Sequence, residues 1–105
     1  KQFNSSSVDV EDPEGELPAA FKLGQNYPNP FNPATTIDFS LPEMQNVRLT
    51  VYDGLGREVR VLVNGNLSAG THEVSFDAAD IPSGVYFYRL EAAGQSLTQT
   101  MILMK

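Results

Sequence analysis

From residue 17 onward, short apolar runs alternate with Gly, Pro and Asn clusters, the mark of many short strands joined by turns. Thr35–Leu41 sets Ile37, Phe39 and Leu41 against Thr36, Asp38 and Ser40. Successive side chains of a strand point to opposite faces, so this period of two predicts a half-buried strand. Val47–Tyr52 repeats it, with Val47, Leu49 and Val51 inward and Arg48, Thr50 and Tyr52 outward. Asp53-Gly54 followed by Gly56 predicts a tight reversal, because glycine accepts a positive φ at little cost. Glu58–Val63 follows, with Val59, Val61 and Val63 on one face, and Asn64-Gly65-Asn66 reads as a second turn. Thr71–Asp77 opposes His72, Val74 and Phe76 to Glu73 and Ser75. Ile81-Pro82-Ser83-Gly84 turns into Val85–Ala92, where Tyr86, Tyr88 and Leu90 share a side. Ala93-Gly94-Gln95 turns into a last strand, Ser96–Met104, and Leu17–Leu23 is a short edge strand weakened by Pro18. No segment repeats apolar positions at helical spacing over ten residues. The expected fold is all-β: an immunoglobulin-like, two-sheet antiparallel sandwich of about seven strands. A single open sheet would leave one apolar face in water.

Composition divides the chain. Residues 1–16 carry Asp9, Glu11, Asp12, Glu14 and Glu16 against Lys1 alone, with three serines, Pro13 and Gly15. Such a segment cannot bury enough apolar surface to offset its ordering entropy and reads as an acidic flexible linker. Its acids lack the spacing and glycine of an EF-hand loop. Residues 17–105 form the folded domain. The net charge of -6 leaves no basic stripe for nucleic acid. No apolar run nears the roughly 20 residues that span a bilayer. Absence of Cys removes disulfides and thiolate metal sites. Lys1 is followed by polar residues, without a secretory leader or initiator Met, so the sequence reads as a segment from the end of a longer exported protein.

Candidate chemistry is thin. His72 is the one histidine, lies within a strand, and has no partner set for zinc or nucleophilic catalysis. Asp38, Glu73, Asp77 and Asp80 sit on strands and turns with little room for a glycosidase cleft. No phosphate-binding glycine loop is present. No cofactor, no metal and no catalytic residue is expected. A carbohydrate-binding module is the alternative reading, with Tyr27, Phe31, Tyr52 and Phe87 as stacking candidates.

One segment departs from a plain sandwich. Gln25–Thr36 reads Q-N-Y-P-N-P-F-N-P-A-T-T, and Pro28, Pro30 and Pro33 fix φ and remove three backbone donors. The residues before them are pushed to extended conformations. The result is a stiff segment that Tyr27 and Phe31 clamp to the sandwich and that Asn26, Asn29 and Asn32 steady through backbone bonds. It reads equally as an edge cover against sheet aggregation and as a preorganised epitope that loses little entropy on binding.

Phe21–Ile37 closely resembles the opening of type A C-terminal sorting domains of the bacterial type IX secretion system. The resemblance continues through V-Y-D-G-L-G-R-E-V (Val51–Val59), A-G-T-H-E-V-S-F-D (Ala69–Asp77) and S-G-V-Y-F-Y-R-L (Ser83–Leu90), covering about residues 20–105. The immunoglobulin-like domain of the flagellar hook-capping protein is a weaker relative and suggests an assembly module as a third reading. The resemblance implies a non-catalytic secretion and surface-attachment signal. Its implied partners are outer-membrane translocon and sortase components and an upstream passenger, with no nucleic acid and no transmembrane segment. It implies passage through the periplasm to the cell surface, with sortase cleavage in the linker among small residues such as Ser5–Ser7, Gly15, Ala19 and Ala20. Pro28, Asn29, Pro30 and Phe31 match the family's first motif, with Tyr27, Asn32 and Pro33 beside it. Gly84 and Tyr86 match its G-x-Y motif, and Lys105 its terminal basic residue. Gln95–Thr100 lacks the Lys or Arg that usually opens the family's last strand. Gly84 as a turn, Tyr86 as core and Phe31 as a plug are the structural readings of the same positions.

Overall fold

The computed structural model describes residues 20–105, so the 1–16 linker and the start of the expected Leu17–Leu23 strand lie outside the described residues. Seven strands follow: β1 (Lys22–Leu23), β2 (Ala34–Leu41), β3 (Gln45–Tyr52), β4 (Glu58–Leu67), β5 (Gly70–Asp77), β6 (Gly84–Ala92) and β7 (Gln95–Leu103). They form two antiparallel sheets, β1-β2-β5 and β4-β3-β6-β7, and no helix occurs among the described residues. The two inner faces close on a core of Ile37, Phe39, Leu41, Val47, Leu49, Val51, Phe76, Tyr88, Leu90, Met101 and Leu103. Alternation therefore placed the inward residues of β2, β3 and β6 correctly.

Turn chemistry sets the hairpins. The Asp53 carboxylate accepts from the N–H groups of Leu55 and Arg57, and Gly56 takes φ +85°. Those backbone donors and the Arg57 guanidinium favour the anion and hold the Asp53 carboxyl below its ordinary value. Ala93 and Gly94 both take positive φ, +50° and +79°, the backbone of a two-residue hairpin turn between β6 and β7.

Two expectations are corrected. Asn64-Gly65-Asn66 is not a turn; it continues β4, with Val47 opposite Gly65 and Asn66 opposite Asn46. Turn-forming residues lie in the strand because β3 supplies partners out to Leu67, and the reversal falls at Ser68–Ala69. Nor do Val59, Val61 and Val63 form one inward row. Pairing jumps from Leu49↔Val63 to Thr50↔Val61, and from Val51↔Arg60 to Tyr52↔Glu58. Each bulge adds a residue and breaks the alternation. Val59, Leu62, Val63 and Leu67 pack on the core as a result, and Val61 does not. Thr50 faces outward as expected but is fully buried, between Val61 and Arg89 in register.

Candidate recognition surface

The proline segment joins β1 to β2 and is closed at its neck by two backbone bonds between Tyr27 and Thr36. The peptide bonds before Pro28, Pro30 and Pro33 are cis. Inside the loop the Asn26 amide donates to Pro28 O and to Thr35 Oγ1, each at 3.1 Å, and Thr35 Oγ1 donates to the same carbonyl at 2.9 Å. Prolines cannot supply backbone donors, so side chains replace them. Below, the Tyr88 hydroxyl accepts from Asn26 N–H and donates to Gly24 O, both at 2.7 Å. Burial pushes that hydroxyl up to about 12.

The loop is then fastened to the end of β7. Phe31 N–H donates to Ile102 O and Met104 N–H donates to Phe31 O, both at 3.0 Å, in a short parallel bridge. Ile102 N–H donates to Asn29 Oδ1 at 2.9 Å, and Gln25 Nε2 to Thr100 O at 2.8 Å. The Phe31 ring is 2% exposed and lies 6.1 Å from Phe76. Gly84 pairs with Leu103, and Lys105 donates from its N–H to Ser83 Oγ and from Nζ to Ala79 O. Three stretches distant in the sequence thus meet at one end of the sandwich: the proline segment, the loop ahead of β6, and the end of β7.

The predicted residues divide within this arrangement. Pro28, Asn29, Pro30, Asn32 and Pro33 are exposed, and Lys105 is exposed beside them. Tyr27 does not clamp the loop; it is 81% exposed, because the Tyr27–Thr36 backbone pairing turns its ring outward and leaves Phe31 as the plug. Tyr86 is buried, with its hydroxyl donating to Pro82 O at 2.6 Å. Burial, with the Asp53 charge second, raises its pKa. Asn26, Thr35, Gln25, Ser83 and Ile102 carry the assembly, and sequence reading passed over all but Asn26. No sequence signal marks them, because their partners are far along the chain.

The rings considered for sugar stacking do not form a row. Phe31 is core, Tyr27 stands on the loop, and Tyr52 and Phe87 pair half-buried across β3 and β6 beside Arg89. His72 stacks on Phe39 at 5.4 Å and donates from Nε2 to Ser68 O. Among the described residues, no group of three or more His, Cys, Asp or Glu side chains is placed to hold a metal ion, and no helix is long and apolar enough to cross a membrane.

The family model of the secretion system C-terminal sorting domain matches residues 25–104, from the proline segment to the end of β7. The chain belongs to this family. The sorting domain is a C-terminal signal for type IX secretion, acts with that machinery on a passenger upstream, and directs export toward the cell surface or extracellular space. Its fold is similar to part of the crystal structure of dimeric latent PorU from Porphyromonas gingivalis, with a TM-score of 0.62 and 21% identity. That similarity covers 91% of this chain and only 10% of the other, and at this identity it shows a shared fold. No curated protein matches the chain.

Proposed function

We propose that the sorting domain is a non-catalytic recognition module read as a folded surface: the exposed proline loop together with the end of β7. The observation that supports this is the bridge between Phe31 and Ile102–Met104, which joins the family's first motif to the end of β7 and to Met104, one residue before Lys105. Outer-membrane translocon components dock on this patch. A sortase then cuts in the segment ahead of β1, among the small residues before the first strand held by hydrogen bonds. Residues 1–16 act as the spacer to the passenger. Gly84 and Tyr86 shape the patch from beneath, and Lys105 is its basic rim.

Deleting Met101–Lys105 is a poor test, because Met101 and Leu103 are 0% and 1% exposed and their loss unfolds the core. Tyr27→Ser with Met104→Ser is a better one, since both side chains stand in solvent, at 81% and 59% exposure. A fluorescent passenger fused ahead of residues 1–105 is expressed in a host with a type IX system. The expected result is a folded double variant whose passenger stays in the periplasm while the parent reaches the surface. Equal display of the two would move recognition off this patch.

A further inference from the structure

Each edge strand of a sheet carries backbone N–H and C=O groups without partners, and stable domains guard them with charges, prolines, bulges or short strands. Three of the four edges here are guarded in these ways. β1 is only two residues long, β5 bears Glu73 and Asp77, and β4 combines two bulges with Glu58 and Arg60. β7 is nine residues long, Q-S-L-T-Q-T-M-I-L, with no charge, no proline and no bulge.

The proline loop covers the last part of it, and β1 lies against its middle, where Gln99 Nε2 donates to Leu23 O at 3.1 Å. Ile102 sends its N–H to Asn29 and its C=O to Phe31, both away from β6. The β6–β7 register runs unbroken from Gly84↔Leu103 to Ala92↔Gln95. Backbone direction alternates along an antiparallel ladder, so Thr100, Thr98 and Ser96 aim outward as Ile102 does. The Thr100 carbonyl is taken by Gln25. Among the described residues, no backbone group pairs with the Thr100 N–H or with Thr98 and Ser96 on that side.

We infer that Ser96–Thr100 of β7 accepts an extended strand supplied by a protein of the secretion machinery, adding a fifth strand to the four-stranded sheet. This rests on the recognition role proposed above and names the form of the partner. A row of outward backbone groups repeating every second residue is solvated in the free domain and matches the backbone groups of another extended chain. The exposed Ser96, Thr98 and Thr100 side chains suit a partner segment with small polar or β-branched residues and no matching charge. The edge is continuous with the proline loop through the Gln25–Thr100 bond, so one partner covers both. A second copy of this chain is the rival occupant. The loop at Phe31 limits a two-fold β7–β7 pairing centred on Thr98 to the stretch from Ser96 to Thr100. That is far below the roughly 800 Å² per partner of a stable interface.

Thr98→Pro tests the inference in the same passenger fusion. Proline there removes an outward donor and leaves the Leu97 and Gln99 bonds to β6 intact. The expected result is a variant that keeps the parent's circular dichroism and monomeric mass but shows at least a tenfold fall in surface display. If Thr98→Pro does not fold, Ser96→Pro, beside the Ala93-Gly94 turn, carries the same test. Undiminished display of a folded proline variant overturns the inference and leaves the recognition role standing. Slow hydrogen exchange of the Thr98 amide in the monomeric parent overturns it too, because the chain's own residues then fill the edge. A parent dimer that Thr98→Pro dissociates assigns the edge to a second copy and also overturns it. A parent fusion that is not displayed, where another sorting domain is, removes the recognition role itself.

Discussion

Replacing Tyr88 by Phe tests how the proline loop is tied to the core. The tyrosine is 0% exposed, and its hydroxyl holds both Asn26 N–H and Gly24 O at 2.7 Å. Phenylalanine keeps the ring and removes the oxygen, so a buried donor and a half-buried acceptor lose their partner together. A buried orphan costs about 1–3 kcal/mol and the half-buried Gly24 carbonyl less, which gives a loss of about 2–4 kcal/mol for Tyr88→Phe. At about 4–8 °C per kcal/mol for a domain of this size, Tm falls by at least about 8 °C. The pH dependence supplies an independent check. Burial is the largest cause raising the Tyr88 hydroxyl from 10.0 to about 12, with the Asp38 charge adding and the Asn26 N–H opposing. The unfolded chain then gives up this proton near pH 10 while the folded chain holds it to about 12. The stability Tyr88 contributes is fully present below pH 10 and is lost between 10 and 12, at about 1.4 kcal/mol per pH unit. Tyr86 is raised in the same sense and adds its own slope. Urea denaturation of both proteins, followed by far-ultraviolet circular dichroism from pH 7 to 11.5, reads both effects. The variant is expected to be less stable at pH 7 and to lose most of the alkaline slope. A loss under about 0.5 kcal/mol at pH 7, or an unchanged slope above pH 10, refutes the reasoning.

Two further outcomes follow from the packing. A Cβ at Gly24 would collide with Asp38 Oδ1 and lie 3.1 Å from the Asp38 carbonyl, so Gly24→Ala is expected to cost about 1–3 kcal/mol in urea denaturation, and adding Asp38→Ala to recover part of it. Arg60 lies 5.4 Å from the Phe76 ring centroid, donates to Asp77 O and to both oxygens of Asp80, and holds the Asp80 carboxyl below its ordinary value. Arg60→Ala is expected to cost about 0.5–1.5 kcal/mol, with the parent's advantage shrinking in 1 M NaCl.

How much was legible in the sequence depended on the range of the forces involved. The inward rows of β2, β3 and β6 are local facts, since side-chain alternation is built into an extended backbone, and they were read from Ile37, Val47 and Tyr86 onward. The inward face of β4 was not, because its bulges arise from pairing with β3. Nothing inside V-R-V-L-V announces that Leu62 adds a residue. Asn64-Gly65-Asn66 misled for the complementary reason: its turn preference was real but outweighed by a full set of strand partners. At the candidate surface, three prolines marked a stiff segment, and the family resemblance marked its motif. The direction of Tyr27 and the docking of Asn29 on Ile102, 73 residues away, depend on tertiary placement that local pattern does not encode. Tyr88 looked like one more core ring, and only the fold shows that its hydroxyl holds the loop.

The bridge between Phe31 and the end of β7 has a consequence for synthesis. Ribosomes make the proline motif before the strand it docks on, with 73 residues from Asn29 to Ile102. A polypeptide broken off before Leu103 contains every residue of the proline loop, yet lacks Met101 and Leu103 for the core and the backbone that seats Phe31. Its motif is written but not displayed. With the recognition role proposed above, the surface would act as a completion seal: only a product translated through β7 presents it, so a chain terminated earlier would be withheld from export without a separate proofreading step.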